Sequence, residues 1–368
     1  MKPKVFVALS GGVDSSVAAF LLKKSGYDVS GVFMRFWQDS RLKRENPCCS
    51  PEAERRARIL AQKLKISFSI FDLRKEFKKA VVDYFLCQTK LGLTPNPCVV
   101  CNQEIKFGLF LDKALKMRAD FIATGHYVRI VRQQSYVSLF KAKDREKDQS
   151  YFLWRLNQEQ LSRIIFPIGD YTKDEVRKLA QKFGLPTAKA KESQNLCFLA
   201  SDTTQFLSRH LKMKPGQIVD ARGKVIGRHQ SLGFYTLGQR GGIGPGLFPK
   251  EQSQGPYFVL KKDLKKNVLV VTKNENDLLS QEFRVSDVNF VLGNAEHKLP
   301  LRVMVKIRSR QKETPAMLYP VLNLVKHNKP ERIDQFLVKL VRPERAVTPG
   351  QSAVFYQGQE LLGGGVIL

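Results

Sequence analysis

The segment Ser10-Gly11-Gly12-Val13-Asp14-Ser15 lies between a short apolar run, Val5 to Leu9, and an apolar-periodic stretch, Val13 to Ser25, that stops at Gly26. No other feature constrains the fold as much. A buried strand that passes through a Gly pair directly into a helix is the first half of a parallel βαβ unit. The glycines let backbone amides approach an anion without Cβ obstruction. The helix N-terminus behind them adds unpaired N–H groups and the positive end of its dipole. Ser10, Ser15 and Ser16 add hydroxyl donors, and Asp14 has the chemistry to hold Mg2+. The chain has no G-x-x-x-x-G-K-[ST], so this phosphate cradle is not a Walker A loop.

The following residues continue the alternation. Asp28 to Arg35 reads as a second strand, and Ser50-Pro51 opens a helix to about Leu64. Ile66 to Phe71 is a third strand, Arg74 to Lys90 a helix, Asn102 to Met117 a helix and Asp120 to Thr124 a strand. Strand–helix alternation predicts a doubly wound α/β parallel sheet, here over residues 1–202. Met34 and Gly125-His126 then stand where strand C-termini meet the crevice of such a sheet. They are candidate adenine contacts there, while on residue type alone Met34 suits a core and His126 a turn. Thr172-Lys173-Asp174-Glu175 is a capping box opening a further helix.

After about Asp202 the texture changes: Gly and Pro become frequent and helical periodicity fades, which predicts a small strand-containing domain over 203–280. From Gln281 the pattern is β. Leu301 to Arg308 alternates an aliphatic face with one carrying Arg302, Lys306 and Arg308, and further strands are expected at Ile333 to Val341, Ser352 to Tyr356 and Leu361 to Leu368. A small closed β-barrel over 281–368 is the economical reading.

Charge narrows the partners. Sixty-two Lys and Arg against 34 Asp and Glu leave +28, which points to an anionic partner, nucleic acid first. From Gln281 onward 13 Lys/Arg face 8 Asp/Glu, so most of the excess lies beside the phosphate loop rather than in a basic tail. No apolar run approaches the ~18 residues of a membrane span and no signal peptide is evident, so a cytoplasmic protein with no membrane partner is expected.

Six cysteines in such a chain suggest thiols used for chemistry. Cys98 and Cys101 follow the rigid stretch Thr94-Pro95-Asn96-Pro97 and precede the helix expected from Asn102. At that helix edge, with basic residues near, a thiolate is expected to be stabilised. Cys197 sits in the polar stretch from Glu192 to Phe198. A loop that cradles phosphates and two separated reactive cysteines suggest that a bound nucleotide activates a carbonyl oxygen while one thiol carries sulfur and the other resolves it. Cys87 reads as a core residue of its helix, and Cys48-Cys49 as part of a polar loop with no assigned role.

The fingerprint at Ser10 to Ser15 resembles the PP-loop of the ATP pyrophosphatases, which cleave ATP between the α and β phosphates. The likeness narrows with Asn96-Pro97, Cys101-Asn102, Thr124-Gly125-His126-Tyr127 and Lys147-Asp148-Gln149-Ser150-Tyr151-Phe152. It continues through Glu192-Ser193-Gln194, Cys197-Phe198, Tyr235-Thr236-Leu237-Gly238-Gln239-Arg240 and Thr348-Pro349-Gly350-Gln351-Ser352-Ala353. With these landmarks the whole chain resembles the bacterial tRNA-specific 2-thiouridylases, which put sulfur at C2 of the wobble uridine.

That resemblance implies an ATP site at Ala8, Leu9, Ser10, Gly11, Gly12, Val13, Asp14, Ser15, Met34 and Gly125, with Mg2+ entering with ATP. It implies Cys197 as the persulfide carrier and Cys101 as the nucleophile that pairs with it afterwards, with Asp14 part of the catalytic set. Asn96, Pro97 and Cys98 would surround the flipped base. His126, Lys147, Asp148, Gln149, Arg308, Ser309 and Gln351 would hold tRNA, and a sulfur-donor protein, a cysteine desulfurase or relay protein, would be a partner. Two positions depart from the family pattern: Cys98 stands where Asp is common, and Gly241 where a basic residue commonly follows Gln239-Arg240. Cys98 also leaves an iron–sulfur cluster on Cys98, Cys101 and Cys197 as a rival reading, and another PP-loop ligase as a second.

Overall fold

The computed structural model describes residues 2–39, 50–188, 190, 197–199, 202–243, 256–293, 298–321 and 335–368. Cys48, Cys49, the stretch 192–196 and the start of the strand expected at 333 lie outside these.

The apolar runs form a five-stranded parallel sheet. Its strands are β1 (Lys4–Ala8), β2 (Asp28–Arg35), β3 (Ser67–Asp72), β4 (Phe121–Ala123) and, after a hairpin, β7 (Ile164–Ile165), in the order β3-β2-β1-β4-β7. The hairpin strands are β5 (Val128–Arg132) and β6 (Val137–Lys141). Side chains alternate along each strand, so Val5 and Val7 face one layer of helices and Phe6 the other. The first layer holds α1 (Val13–Lys24), α2 (Pro51–Lys63) and α6 (Lys173–Lys182) through Val17, Leu22, Ala57, Leu60, Val176 and Ala180. Capping sets two of these starts. The Ser50 hydroxyl accepts from Ala53 N at 3.1 Å, with Pro51 in the first turn, and Thr172 with Glu175 completes the expected capping box.

The opposite layer differs from the periodic reading. Each of its two long helices contains a π-helical stretch. In α3, Arg74–Phe77 runs through Lys78–Val82 into Asp83–Lys90; in α4, Pro97–Val100 runs through Cys101–Leu109 into Phe110–Lys116. The wider turn shifts the phase of the buried face. In α3 it turns Val81, Val82 and Phe85 inward and leaves Cys87 exposed, which corrects the core placement expected for that cysteine. A short helix, α5 (Gln158–Ser162), precedes β7.

Beyond Asp202 comes a helix that the fading periodicity did not announce, α7 (Thr203–His210). The small sheet β8 (Gly216–Val219), β9 (Val225–His229), β10 (Phe258–Asp263) and β11 (Val268–Thr272) follows, ordered β10-β11-β8-β9. The last strands are β12 (Leu279–Phe290), β13 (Leu301–Lys306), β14 (Thr314–Val321), β15 (Gln335–Arg345), β16 (Ser352–Gln357) and β17 (Glu360–Ile367). They close into a six-stranded barrel because β17 pairs back with β12, Val285 opposite Ile367. Val303, Val305, Leu318, Phe336 and Phe355 fill it.

The β5–β6 hairpin ties this barrel to the first domain, since β6 pairs with β17, Leu139 opposite Leu361. At that seam Lys141, whose side chain is 6% exposed, pairs with Glu313, donates to the Gly358 carbonyl at 2.9 Å and lies 4.3 Å from the centre of the Tyr356 ring. Lys306 approaches the same carboxylate at 3.7 Å. Glu313→Ala removes the one anion between two cations and is expected to cost about 3 kcal/mol. Urea denaturation checks this: a midpoint equal to wild type contradicts the role given to the pair.

Candidate active site

Gly11 has a φ of +70°, and a Cβ there would lie 2.3 Å from the Ala53 carbonyl oxygen, so α2 presses directly on the loop. Arg56 Nε donates to the Gly11 carbonyl at 3.0 Å. Ser15 Oγ accepts from Ser10 N at 3.2 Å and donates to Gly12 O at 3.1 Å, and Ser16 Oγ donates to the same carbonyl at 2.8 Å. No side chain caps α1 at Gly12, and a Cβ there would find nothing nearer than Ser10 Oγ at 3.4 Å. The uncapped helix start and the open space above Gly12 fit a phosphate group. Leu9 and Val13 are buried and present backbone only, with Leu9 N donating to Val32 O. Ala8 is half-buried at the strand end, and Met34, 9% exposed, packs in the core cluster at the end of β2.

Gly125 closes the loop from β4. A Cβ at this position would lie 2.6 Å from Ser15 N, so the backbone of this turn rests on the first turn of α1. Asp14 is gripped from two sides. The buried Lys173 ammonium sits 2.7 and 2.8 Å from its two oxygens, and Tyr127 Oη donates to one of them at 2.7 Å. Neither Lys173 nor Tyr127 was given a role at the loop from the sequence, since 159 and 113 residues separate them from Asp14.

A second feature is a cavity of about 1390 Å³ between the first domain and the barrel. Its wall contains Asn96, Pro97, Cys98, Lys147, Asp148, Gln149, Arg308, Ser309 and Gln351, which is every residue expected to meet tRNA except His126. Lining Lys and Arg number six against three Asp and Glu. Arg145, Arg310 and Lys312 were missed, although the run Arg308 to Lys312 just past β13 carried the signal. Lys306 also lines it, while Arg302 points to solvent.

The barrel positions the Thr94–Pro97 stretch. Gln351 Nε2 donates to Thr94 O at 2.8 Å, Thr94 N donates to Pro349 O, and the Thr94 hydroxyl reaches Thr236. Asn96 bonds the buried Tyr151 hydroxyl, which donates to Ser352 O at 2.8 Å. Arg308 donates to Ala346 O at 2.9 Å. Asp148 braces its own loop, accepting from Ala142 N and the Ser150 hydroxyl.

His126 is buried between Phe107 and Phe166, its Nδ1 2.7 Å from the Thr124 hydroxyl. Burial, reinforced by the Lys106 ammonium, holds its imidazole well below the ordinary range. It is a neutral ring behind the loop, away from the cavity wall.

The thiols also differ from expectation. The helix starts at Pro97, not Asn102, so Cys98 lies in its first turn and Cys101, 5% exposed, begins the π-helical stretch. Cys98 is not activated. Burial pushes its thiol up to about 12, with Cys197 adding to the rise and Lys106 opposing it. The thiol therefore stays protonated at neutral pH. At pH 8 iodoacetamide is expected to label exposed Cys87 readily and Cys98 roughly 10³-fold more slowly; equal rates, read by peptide mass, contradict the placement. Cys197 packs half-buried against the cluster that contains Cys101, held by Phe198, whose ring meets those of Phe77, Phe85 and Phe206. Among the described residues no group of three or more His, Cys, Asp or Glu is arranged to hold a metal. No described helix is long and apolar enough to cross a membrane.

Residues 3–201 match the family described as tRNA methyl transferase HUP domain, 204–273 the tRNA methyl transferase PRC-barrel domain, and 280–367 the aminomethyltransferase beta-barrel domain. The chain is 42% identical over 369 residues to the tRNA-specific 2-thiouridylase MnmA of Nitrosomonas eutropha, covering 100% of this chain and 98% of that protein. It is 43% identical to MnmA 2 of Thermoanaerobacter sp. (99% and 97% covered) and 41% identical to MnmA of Streptococcus thermophilus (100% and 95%).

Proposed function

This chain belongs to the tRNA-specific 2-thiouridylase family, and from that premise we propose that it replaces the C2 oxygen of the wobble uridine of tRNA with sulfur, consuming ATP. One observation carries the reading: a single basic cavity gathers the Asn96–Cys98 stretch, the 147–149 loop and the Arg308–Ser309 bend, and Cys197, which packs on the same apolar cluster as Cys101, is near enough to Cys98 in the cavity wall to raise its thiol.

The uncapped start of α1 and the Gly12 space would take the phosphates of ATP, with Ser10 and Ser15 as further donors. Mg2+ suits the nucleotide better than a protein cage. Asp14 has both oxygens on Lys173 and one on Tyr127, so its role is to set the loop rather than to ligate metal directly. Uridine O2 attacks the α-phosphorus of ATP, pyrophosphate leaves, and N3 gives up its proton. The Cys197 persulfide attacks C2, forming a C–S bond as the C–O bond to AMP breaks. Cys101 thiolate then attacks Cys197 Sγ, which releases the thiouridine sulfur and leaves a Cys101–Cys197 disulfide for an external thiol to reduce. A sulfur-donor protein would reload Cys197.

The test is direct. Incubation with ATP, Mg2+, unmodified tRNA and a sulfane-sulfur source (a cysteine desulfurase with cysteine), followed by nucleoside mass analysis, should yield 2-thiouridine with AMP and pyrophosphate. ATP turnover without thiolated nucleoside contradicts the reading.

A further inference from the structure

The loop that lines the RNA cavity, residues 145–149, is tied at both ends to the groups that grip Asp14. At one end the Asp144 carboxylate accepts from Lys147 N at 3.2 Å and from Lys173 N at 2.9 Å, and Lys173 Nζ holds Asp14. At the other, Gln149 clasps the backbone of Tyr127: its Oε1 accepts from Tyr127 N and its N donates to Tyr127 O, each at 2.9 Å. The Tyr127 hydroxyl then donates to Asp14 at 2.7 Å, and the Lys173 ammonium lies 5.7 Å from the centre of the Tyr127 ring.

We propose that Tyr127 is a positioning residue that couples RNA occupancy of the cavity to ATP affinity at the loop. Gln149 faces the cavity, and with Oε1 committed to Tyr127 its Nε2 is the end of the carboxamide open to an RNA acceptor. An acceptor on Nε2 polarises the carboxamide and strengthens the bond to Tyr127 N. That fixes the ring, which is 3% exposed, and so fixes the hydroxyl on Asp14 in the first turn of α1. The loop then holds nucleotide more firmly when RNA is seated than when it is not, which limits unproductive adenylation. By linkage, ATP must tighten tRNA by the same factor. The inference rests on the function proposed above.

The experiment measures the Kd of a non-hydrolysable α,β-methylene ATP analogue with and without saturating unmodified tRNA, and the Kd of tRNA with and without the analogue. For the wild type both ratios are expected to agree at about 5-fold or more. Tyr127→Phe keeps the ring and deletes one oxygen. Whatever its basal affinities, both ratios should fall to about 1, with an unchanged circular dichroism spectrum. Gln149→Leu, which cuts the clasp from the cavity side, should do the same. A Tyr127→Phe protein with the wild-type ratio, or a wild type that binds both ligands without coupling, overturns the inference alone. A wild type that binds neither ATP analogue nor tRNA overturns the function reading and this inference with it.

Discussion

Cys197→Ser is expected to reduce thiolation by at least about 10³-fold, to the limit of detection, while leaving binding of ATP intact. The hydroxyl cannot hold sulfane sulfur, so the persulfide route is closed at any pH and with any protein donor. The residue lies outside the phosphate loop, and Phe198, which anchors the segment among Phe77, Phe85 and Phe206, is untouched. Cys101→Ser should fail differently. Sulfur can still load on Cys197 and attack C2, but the step that releases it lacks its nucleophile, so a covalent Cys197–S–S–uridine adduct accumulates while free thiouridine does not. Cys98→Ser separates the third thiol from these two. The Cys98 thiol lines the cavity wall but is held in the protonated form, so no sulfur-carrying step is assigned to it and this variant should keep most of its activity. Thiolation by the Cys197 variant at a normal rate, or its loss in the Cys98 variant alone, would reverse the assignment.

The second large effect concerns the loop. Gly11→Ala forces an L side chain into a left-handed backbone and places its Cβ 2.3 Å from the Ala53 carbonyl, where α2 backbone cannot yield as a side chain would. The loop must move by about an ångström, and misplacement of that size costs on the order of 10²-fold in rate. Gly12→Ala is the informative comparison. Its φ of −97° is ordinary and the nearest atom is Ser10 Oγ at 3.4 Å, so the protein should fold without strain. The added methyl fills the space assigned to phosphate, and ATP binding should weaken by about 10-fold or more without loss of thermal stability. Pyrophosphate release and thermal unfolding of both variants check this. A Gly12→Ala protein with wild-type ATP affinity contradicts the placement of the phosphates.

Much of this was legible from local signals. The strand–Gly-Gly–helix unit, the Ser50 cap, the Thr172 capping box and the alternating strands each express a short-range preference that the fold did not override. The cavity wall was legible for a different reason: the resemblance supplied residues far apart in sequence, and the chain crossing brought them to one place. What escaped depends on long-range geometry. A π-helical turn leaves no periodic trace, so the start of α4 was placed five residues late and Cys101 was taken for a helix-edge thiol. The wider turn likewise inverted the expected burial of Cys87. The β5–β6 hairpin, Val128 to Lys141, has alternating strands around a polar turn, but its pairing with β17 joins residues more than two hundred apart. The Tyr127–Asp14–Lys173 grip is of the same kind. His126 shows the opposite case, since a motif position implied an RNA contact and the structure packs the ring between two phenylalanines, off the cavity wall.

The central claim is that one site adenylates the uridine and transfers sulfur between Cys197 and Cys101. It is tested most directly by a single turnover of persulfide-loaded protein with ATP, Mg2+ and unmodified tRNA, without reductant, followed by peptide and nucleoside mass analysis of the same sample. The account predicts one Cys101–Cys197 disulfide for each 2-thiouridine and each AMP formed. Thiouridine formed with both thiols still reduced, or with the bridge on Cys98, would contradict it.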